Sequence, residues 1–174
     1  LVKDKKVRMP ENEITGEWFL KTHQLMESNG YPSYEISNFS QPEFECRHNL
    51  HYWKIHPYLA FGPSAHGFDG TNRWNNSRSL DLFLQQIESG DSPISIIETL
   101  TEKDKLNELI GFGLRMNDGI DLKKIPEIFQ TQFGENLKII EKKWEGCFIK
   151  NEKSISLTKA GMVFGDAIGV DLMF

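Results

Sequence analysis

Apolar positions Ile14, Trp18, Leu25 and Met26 fall on or near one helical stripe, and Gly30 stands where a helix would stop. The spacing predicts a helix over 14–29. The next segment, YPSYEIS (31–37), carries β-favouring Tyr34 and Ile36 and reads as a short strand. A helix followed by a strand is the pattern expected at the tail end of a repeating β/α domain. Between Asn38 and Asn76 no long period holds. Aromatic, His, Gly, Pro and Asn residues predominate there, and the stretch reads as mostly irregular, with a short strand expected around Tyr58–Gly62. Irregular stretches of that length inside a compact domain are commonly functional. Regular patterning resumes over 79–89, a helix carrying Leu80, Phe83, Leu84 and Ile87 and ended by Gly90. ESGDSPIS (88–95) then reads as a linker rich in turn residues.

From Thr101 the character changes. Thr101 and Asp104 have the spacing of a capping box, with Leu106, Leu109, Ile110 and Leu114 as the apolar face of the helix that follows. A second helix is expected from near Asp121 (Leu122, Ile125, Phe129) and a third through Leu137, Ile140 and Trp144. CFIKNEKSISL (147–157) alternates around a polar turn at Asn151–Lys153, a hairpin signature. Thr158 is placed to cap a last helix with Val163, Phe164, Ala167, Ile168 and Leu172. Three helices, a hairpin and a closing helix predict a winged-helix-like unit. The expected division is 1–76, a connecting helix and linker over 77–97, and a mainly α domain over 98–174.

Charge narrows the partners. The 174 residues carry a net charge of −5, with nine basic against twelve acidic residues up to position 97 and eleven against thirteen beyond it. Neither part has the basic excess that a phosphate backbone demands, so no nucleic-acid partner is expected, despite the winged-helix pattern. No run approaches the roughly 20 apolar residues of a transmembrane helix. The charged start, LVKDKKVRMPENE, lacks the apolar core of a signal peptide, and a cytoplasmic setting is expected. Cys46 and Cys147, about a hundred residues apart, read as ordinary reduced thiols. The first residue is not Met, and the chain is expected to be part of a longer protein.

Four of the five histidines lie between positions 48 and 66 (His48, His51, His56, His66), interleaved with Tyr52, Trp53, Tyr58, Phe61 and Phe68. Imidazoles among flat apolar rings suit a metal ion held by neutral nitrogens, or a planar macrocycle whose iron takes an axial His. Zinc is disfavoured, because the 48/51 and 56/66 spacings lack close paired ligands. The competing reading is structural, with each imidazole hydrogen-bonded inside an aromatic loop. Helical or extended, 48–53 allows His48 and Tyr52 to reach one ligand.

YEISNF (34–39), CRHNLHYW (46–53) and FGPSAHG (61–67), in that order, resemble consecutive signatures of the radical S-adenosylmethionine coproporphyrinogen III oxidase-like family. RWNN (73–76) resembles its next short motif, and LRMNDGID (114–121) and SLTKAGMVFGDAI (156–168) are similar to its helical C-terminal domain. The resemblance covers nearly the whole chain. It implies the C-terminal end of a partial β/α barrel, an α/β fragment, followed by the winged-helix-like domain. The family has two branches. One decarboxylates propionates of coproporphyrinogen in porphyrin biosynthesis; the other consists of heme chaperones that deliver heme to acceptor proteins. HNLHYW matches the HNxxYW pattern tied to heme binding in the chaperone branch. The resemblance therefore implies heme as cofactor and heme-acceptor proteins as partners, with His48, Asn49, Tyr52 and Trp53 as heme contacts and His48 on the iron. Arg47 or Arg73 is a candidate for the propionates. The family's CxxxCxxC loop has no counterpart here, so the 4Fe–4S cluster and S-adenosylmethionine are expected to be held by the remainder of the full-length protein, and this chain alone is expected to be inactive. Ser64 and Gly67 stand at variable positions of FGPSAHG. Glu35 and Asn38 are expected near the cofactor end of the barrel or in a structural role, and Gly62 and Gly67 in turns. A true oxidase, or a C-terminal domain serving only as a docking or lid module, are the alternatives.

Overall fold

Burial is lopsided along the chain. The structure, a computed structural model, describes residues 12–174. Of its buried hydrophobic side chains, only Phe68 precedes residue 100; the others lie between Leu100 and Leu172.

The core belongs to four helices and a small sheet: α4 (Glu102–Arg115), β4 (Ile120–Asp121), a 3-10 turn (Leu122–Lys124), α5 (Glu127–Lys143), β5 (Phe148–Lys150), β6 (Ser154–Leu157), α6 (Lys159–Met162) and α7 (Gly165–Leu172). Leu106, Ile110 and Leu114 recur at helical spacing on α4 and meet Ile120, Phe133, Ile155, Ile168 and Leu172. Fully buried aliphatic side chains of this kind stabilise a fold by about 1.5–3 kcal/mol each. The capping box forms: Thr101 Oγ1 accepts from Asp104 N at 3.2 Å, and Thr101 N donates to Asp104 Oδ2 at 2.9 Å. The hairpin forms as expected, β5 and β6 pairing antiparallel with β4 on the far side of β6.

Two expectations for this region need correction. No helix starts near Asp121; its carboxylate accepts from Lys123 N and caps the 3-10 turn, and one helix, α5, starts past Pro126 and carries both Phe129 and Ile140. The closing helix is broken at Val163–Phe164 into α6 and α7, with Thr158 capping the first piece.

Before residue 100 the elements are α1 (Asn12–Ser28), α2 (Arg47–Trp53), β1 (His66–Phe68), β2 (Asn72–Asn76), α3 (Leu80–Ser89) and β3 (Ile94–Thr99). The strand expected over 31–37 is only a pair of isolated bridges, Ser33 to Phe39 and Glu35 to Met116, and Tyr58 likewise makes a single bridge, to Phe68. The irregular stretch holds α2, β1 and β2, and residues 94–99, read partly as linker, form a strand antiparallel to β2. Polar RWNN hides β2, because its partners rather than its composition hold it. Gly30 and Gly90 end α1 and α3 with positive φ, as expected. Ile96 and Ile97 of β3 and Leu80, Leu84 and Ile87 of α3 remain exposed.

The two regions are joined at the end of α4. Glu35 is wholly buried, and its carboxylate accepts from Ser37 N (2.7 Å), Asn38 Nδ2 (2.7 Å) and Arg115 Nη2 (3.1 Å). Backbone bonds from Ile36 N to Arg115 O and Asn117 N to Tyr34 O run alongside, and Asn117 Nδ2 donates to Ser33 O. Two motifs eighty residues apart in sequence thus close on one another. A second tie runs through His23, whose Nε2 bonds Ile36 O at 3.0 Å while Lys159 Nζ reaches His23 Nδ1 (3.4 Å) and Ser33 Oγ (2.6 Å).

Candidate functional site

The motif HNLHYW folds as α2, a two-turn helix whose first turn is closed by Leu50 N donating to Cys46 O at 3.0 Å. It ends where Ile55 adopts a left-handed φ of 57°, and His51 Nε2 donates to the Pro57 carbonyl at 2.7 Å, folding the loop back on the helix. At about 100° per residue, His48 and Tyr52 lie roughly 40° apart around the axis and Trp53 lies on another side.

The rings follow that geometry. The Tyr52 ring meets His48 edge-on at 4.9 Å and Tyr58 at 4.7 Å, and Tyr58 leads on to Phe68 at 6.1 Å. The row runs from exposed His48 inward to Phe68, which is 3% exposed. His51 and His56 sit beside it, 5.1 Å apart. Among the described residues the His48 side chain has its Tyr52 ring contact and no hydrogen bond or ion pair. An exposed imidazole with both nitrogens unengaged, backed by a phenol ring, can bind an iron or donate a hydrogen bond.

Asn49 and Trp53 face inward. Asn49 Nδ2 donates to the Tyr34 hydroxyl at 3.4 Å, tying α2 to the YEISNF segment. Trp53 packs on Phe112 at 5.7 Å, and the Arg115 guanidinium stacks over its ring at 4.7 Å. The structure thus brings His48 and Tyr52 together and turns Trp53 onto α4. Arg115 joins Trp53 to buried Glu35, so Glu35 and Asn38 act here as structural groups. Arg73 is committed to Glu108 at 2.6 Å and lies over the Phe68 ring, whereas Arg47 is exposed without an ion pair among the described residues. His66 lies on β1 opposite Asn75, two positions before Phe68, and makes none of the ring contacts of the row. Gly62 serves a turn, with φ of 88°. Gly67 does not: a Cβ there would come within 2.3 Å of the Trp74 ring, so close packing requires it. Cys46 is exposed; Cys147 is buried, and burial pushes its thiol pKa up. Among the described residues no cluster of three His, Cys, Asp or Glu side chains is arranged to hold a metal ion.

Residues 100–164 match the HemN C-terminal domain. Over nearly its whole length the chain is similar to heme chaperones named HemW. It is 28% identical to the heme chaperone HemW of Bacillus subtilis over 172 residues, 97% of this chain and 45% of that protein. It is also 28% identical to the mitochondrial radical S-adenosyl methionine domain-containing protein 1 of Danio rerio, over 96% of this chain and 40% of that protein. It thus spans under half the length of these relatives. The structure of the coproporphyrinogen III oxidase HemN from Escherichia coli, a radical SAM enzyme, superposes with a TM-score of 0.67 at 20% identity, over 88% of this chain and 39% of that one. HemN shares the fold, mixed helices with small sheets. No helix among the described residues is long and apolar enough to cross a membrane.

Proposed function

We propose that this chain is part of a heme chaperone, and that α2 presents His48 as an axial or near-axial contact to the heme iron, with Tyr52 against the macrocycle. One observation carries the reading: His48 is the exposed end of a ring row and its imidazole is unengaged among the described residues, while its neighbour His51 is spent on the Pro57 carbonyl. A buried, bonded imidazole would have argued for structure alone. The kinship with HemW supports the same reading. Heme suits the donor set here, since one imidazole beside flat rings is what an axial ligand and a stacking surface require. Bound heme would supply an iron that takes an imidazole; His48 would hold it, and Asn49 and Trp53 anchor the helix that presents His48.

The two cysteines do not fit a 4Fe–4S cluster, because one is buried and they lie a hundred residues apart. Cluster and S-adenosylmethionine belong, in this reading, to the remainder of the parent protein, which has the exposed faces of α3 and β3 to pack upon. The order α4, β4, α5, β5, β6 supports a winged-helix-like reading of the HemN C-terminal domain, acting as a docking or lid element. The test is transfer. Full-length protein loaded with heme and mixed with a heme-free acceptor should pass its heme on at a rate that falls when His48 is replaced by Ala. Conversion of coproporphyrinogen to protoporphyrinogen under anaerobic conditions, without heme transfer, would instead identify an oxidase.

A further inference from the structure

His51 stands at one of the two open positions of HNxxYW, so the motif assigns it no role, yet it shapes the loop that follows α2. Its carbonyl accepts from His56 N at 3.1 Å, and its Nε2 donates to the Pro57 carbonyl at 2.7 Å. A carbonyl only accepts, so the proton of this bond is on Nε2. Between the two bonds the chain reverses through Ile55, whose left-handed φ of 57° is unfavourable for a β-branched side chain. Pro57 has a fixed φ, which passes the constraint on to the next residue.

That residue is Tyr58. Its backbone is pinned on the far side by β1, Tyr58 N donating to Phe68 O and Phe68 N to Tyr58 O, both at 2.8 Å. Its ring packs on Tyr52 at 4.7 Å, and Tyr52 in turn meets His48 at 4.9 Å. An unbroken path of contacts thus leads from His51 through Pro57, Tyr58 and Tyr52 to His48. The His51 ring itself is 6.2 Å from Tyr52, near the outer limit of ring packing, so its bond to Pro57 rather than its face carries the constraint.

We propose that His51 is a positioning residue for the heme contact: its bond to Pro57 holds Tyr58 against Tyr52, and Tyr52 then fixes the orientation of the His48 imidazole. The inference rests on His48 as the heme contact and adds a residue that touches no heme atom. Without the bond, the strain at Ile55 favours opening of the loop.

The test compares His51→Leu, which removes the donor, with His51→Gln, whose amide nitrogen has the reach of Nε2 and keeps it; Leu and Gln have similar helix propensity. Full-length protein is titrated with heme and followed in the Soret region. His51→Leu should bind heme about threefold to fivefold more weakly, as the loss of one water-exposed hydrogen bond implies, with the Soret maximum of the bound form unmoved. His51→Gln should bind as the unaltered protein does. In a His48→Ala background His51→Leu should cause no further loss, since the residue acts only through His48. Without heme, amide exchange at Tyr58 and Phe68 should quicken in His51→Leu and not in His51→Gln. Undiminished affinity in His51→Leu, a Gln variant as weak as the Leu variant, or additive losses in the double variant would each overturn the proposal while leaving His48 as the contact. A shifted Soret maximum in His51→Leu would make His51 itself a ligand and overturn it too. If His48→Ala binds heme unchanged, the heme reading fails and the positioning role falls with it.

Discussion

Replacing Arg115 with methionine keeps most of the side-chain volume but removes the cation that faces Glu35. Glu35 is wholly buried, and of its three donors only Ser37 N and Asn38 Nδ2, both at 2.7 Å, would remain. Removing one partner of a buried pair costs about 3–5 kcal/mol, because the other charge is left uncompensated. Two observations place the cost below that range: the Arg115 side chain is 28% exposed, so water already screens the pair, and the two neutral donors persist. Loss of the guanidinium stack on Trp53 adds roughly 0.5–1 kcal/mol. The expected total is about 2–3 kcal/mol. Urea unfolding should show it as a lower midpoint with an unchanged slope. The pair can be isolated by a cycle: with Glu35→Gln already in place, Arg115→Met should cost at least 1 kcal/mol less than it does alone. A loss below about 0.5 kcal/mol in the single variant, or strict additivity in the double one, would refute the reasoning that this buried carboxylate joins the two regions.

Thr101→Ala removes one half of the capping box on α4 and should cost about 1 kcal/mol in the same unfolding assay. Gly119→Ala should be far worse, since a Cβ there would sit 2.3 Å from the Ile155 carbonyl oxygen at a φ of +76°, and loss of cooperative unfolding or of soluble expression is the expected readout. Burial holds the His23 pKa below its ordinary value of 6.5, and nearby Lys159 opposes protonation further. As pH falls through that value the unfolded chain takes up the proton before the folded one, so stability should decline below about pH 6.5 and be insensitive to His23 above it. Stability measured from pH 8 to pH 5 should show a shallower decline in a folded His23→Gln variant than in the unaltered protein.

The C-terminal half was legible because its signals were local and mutually consistent: a capping box at Thr101, a 3.6 period through Leu106, Ile110 and Leu114, and alternation around Asn151–Lys153. Its errors fell where a short-range cue had two solutions. Asp121 is a good cap, but what it caps is a single 3-10 turn, and Pro126 resets the start of the true helix. The N-terminal half hid its sheet, because β2 is polar and β3 is exposed along its length; antiparallel pairing rather than patterning defines them. At the candidate site, the i, i+4 relation of His48 and Tyr52 was readable from the motif. That Trp53 turns to α4 depends on Phe112 and Arg115, some sixty residues away, and no local pattern carries that information.

The most direct test of the central claim is a heme titration of the unaltered protein and of His48→Ala, each in the presence and absence of free imidazole, followed in the Soret region. Axial contact at position 48 predicts a shifted band and about tenfold or greater weakening in the variant, with imidazole restoring the original spectrum. Identical spectra and affinities for the two proteins would contradict it.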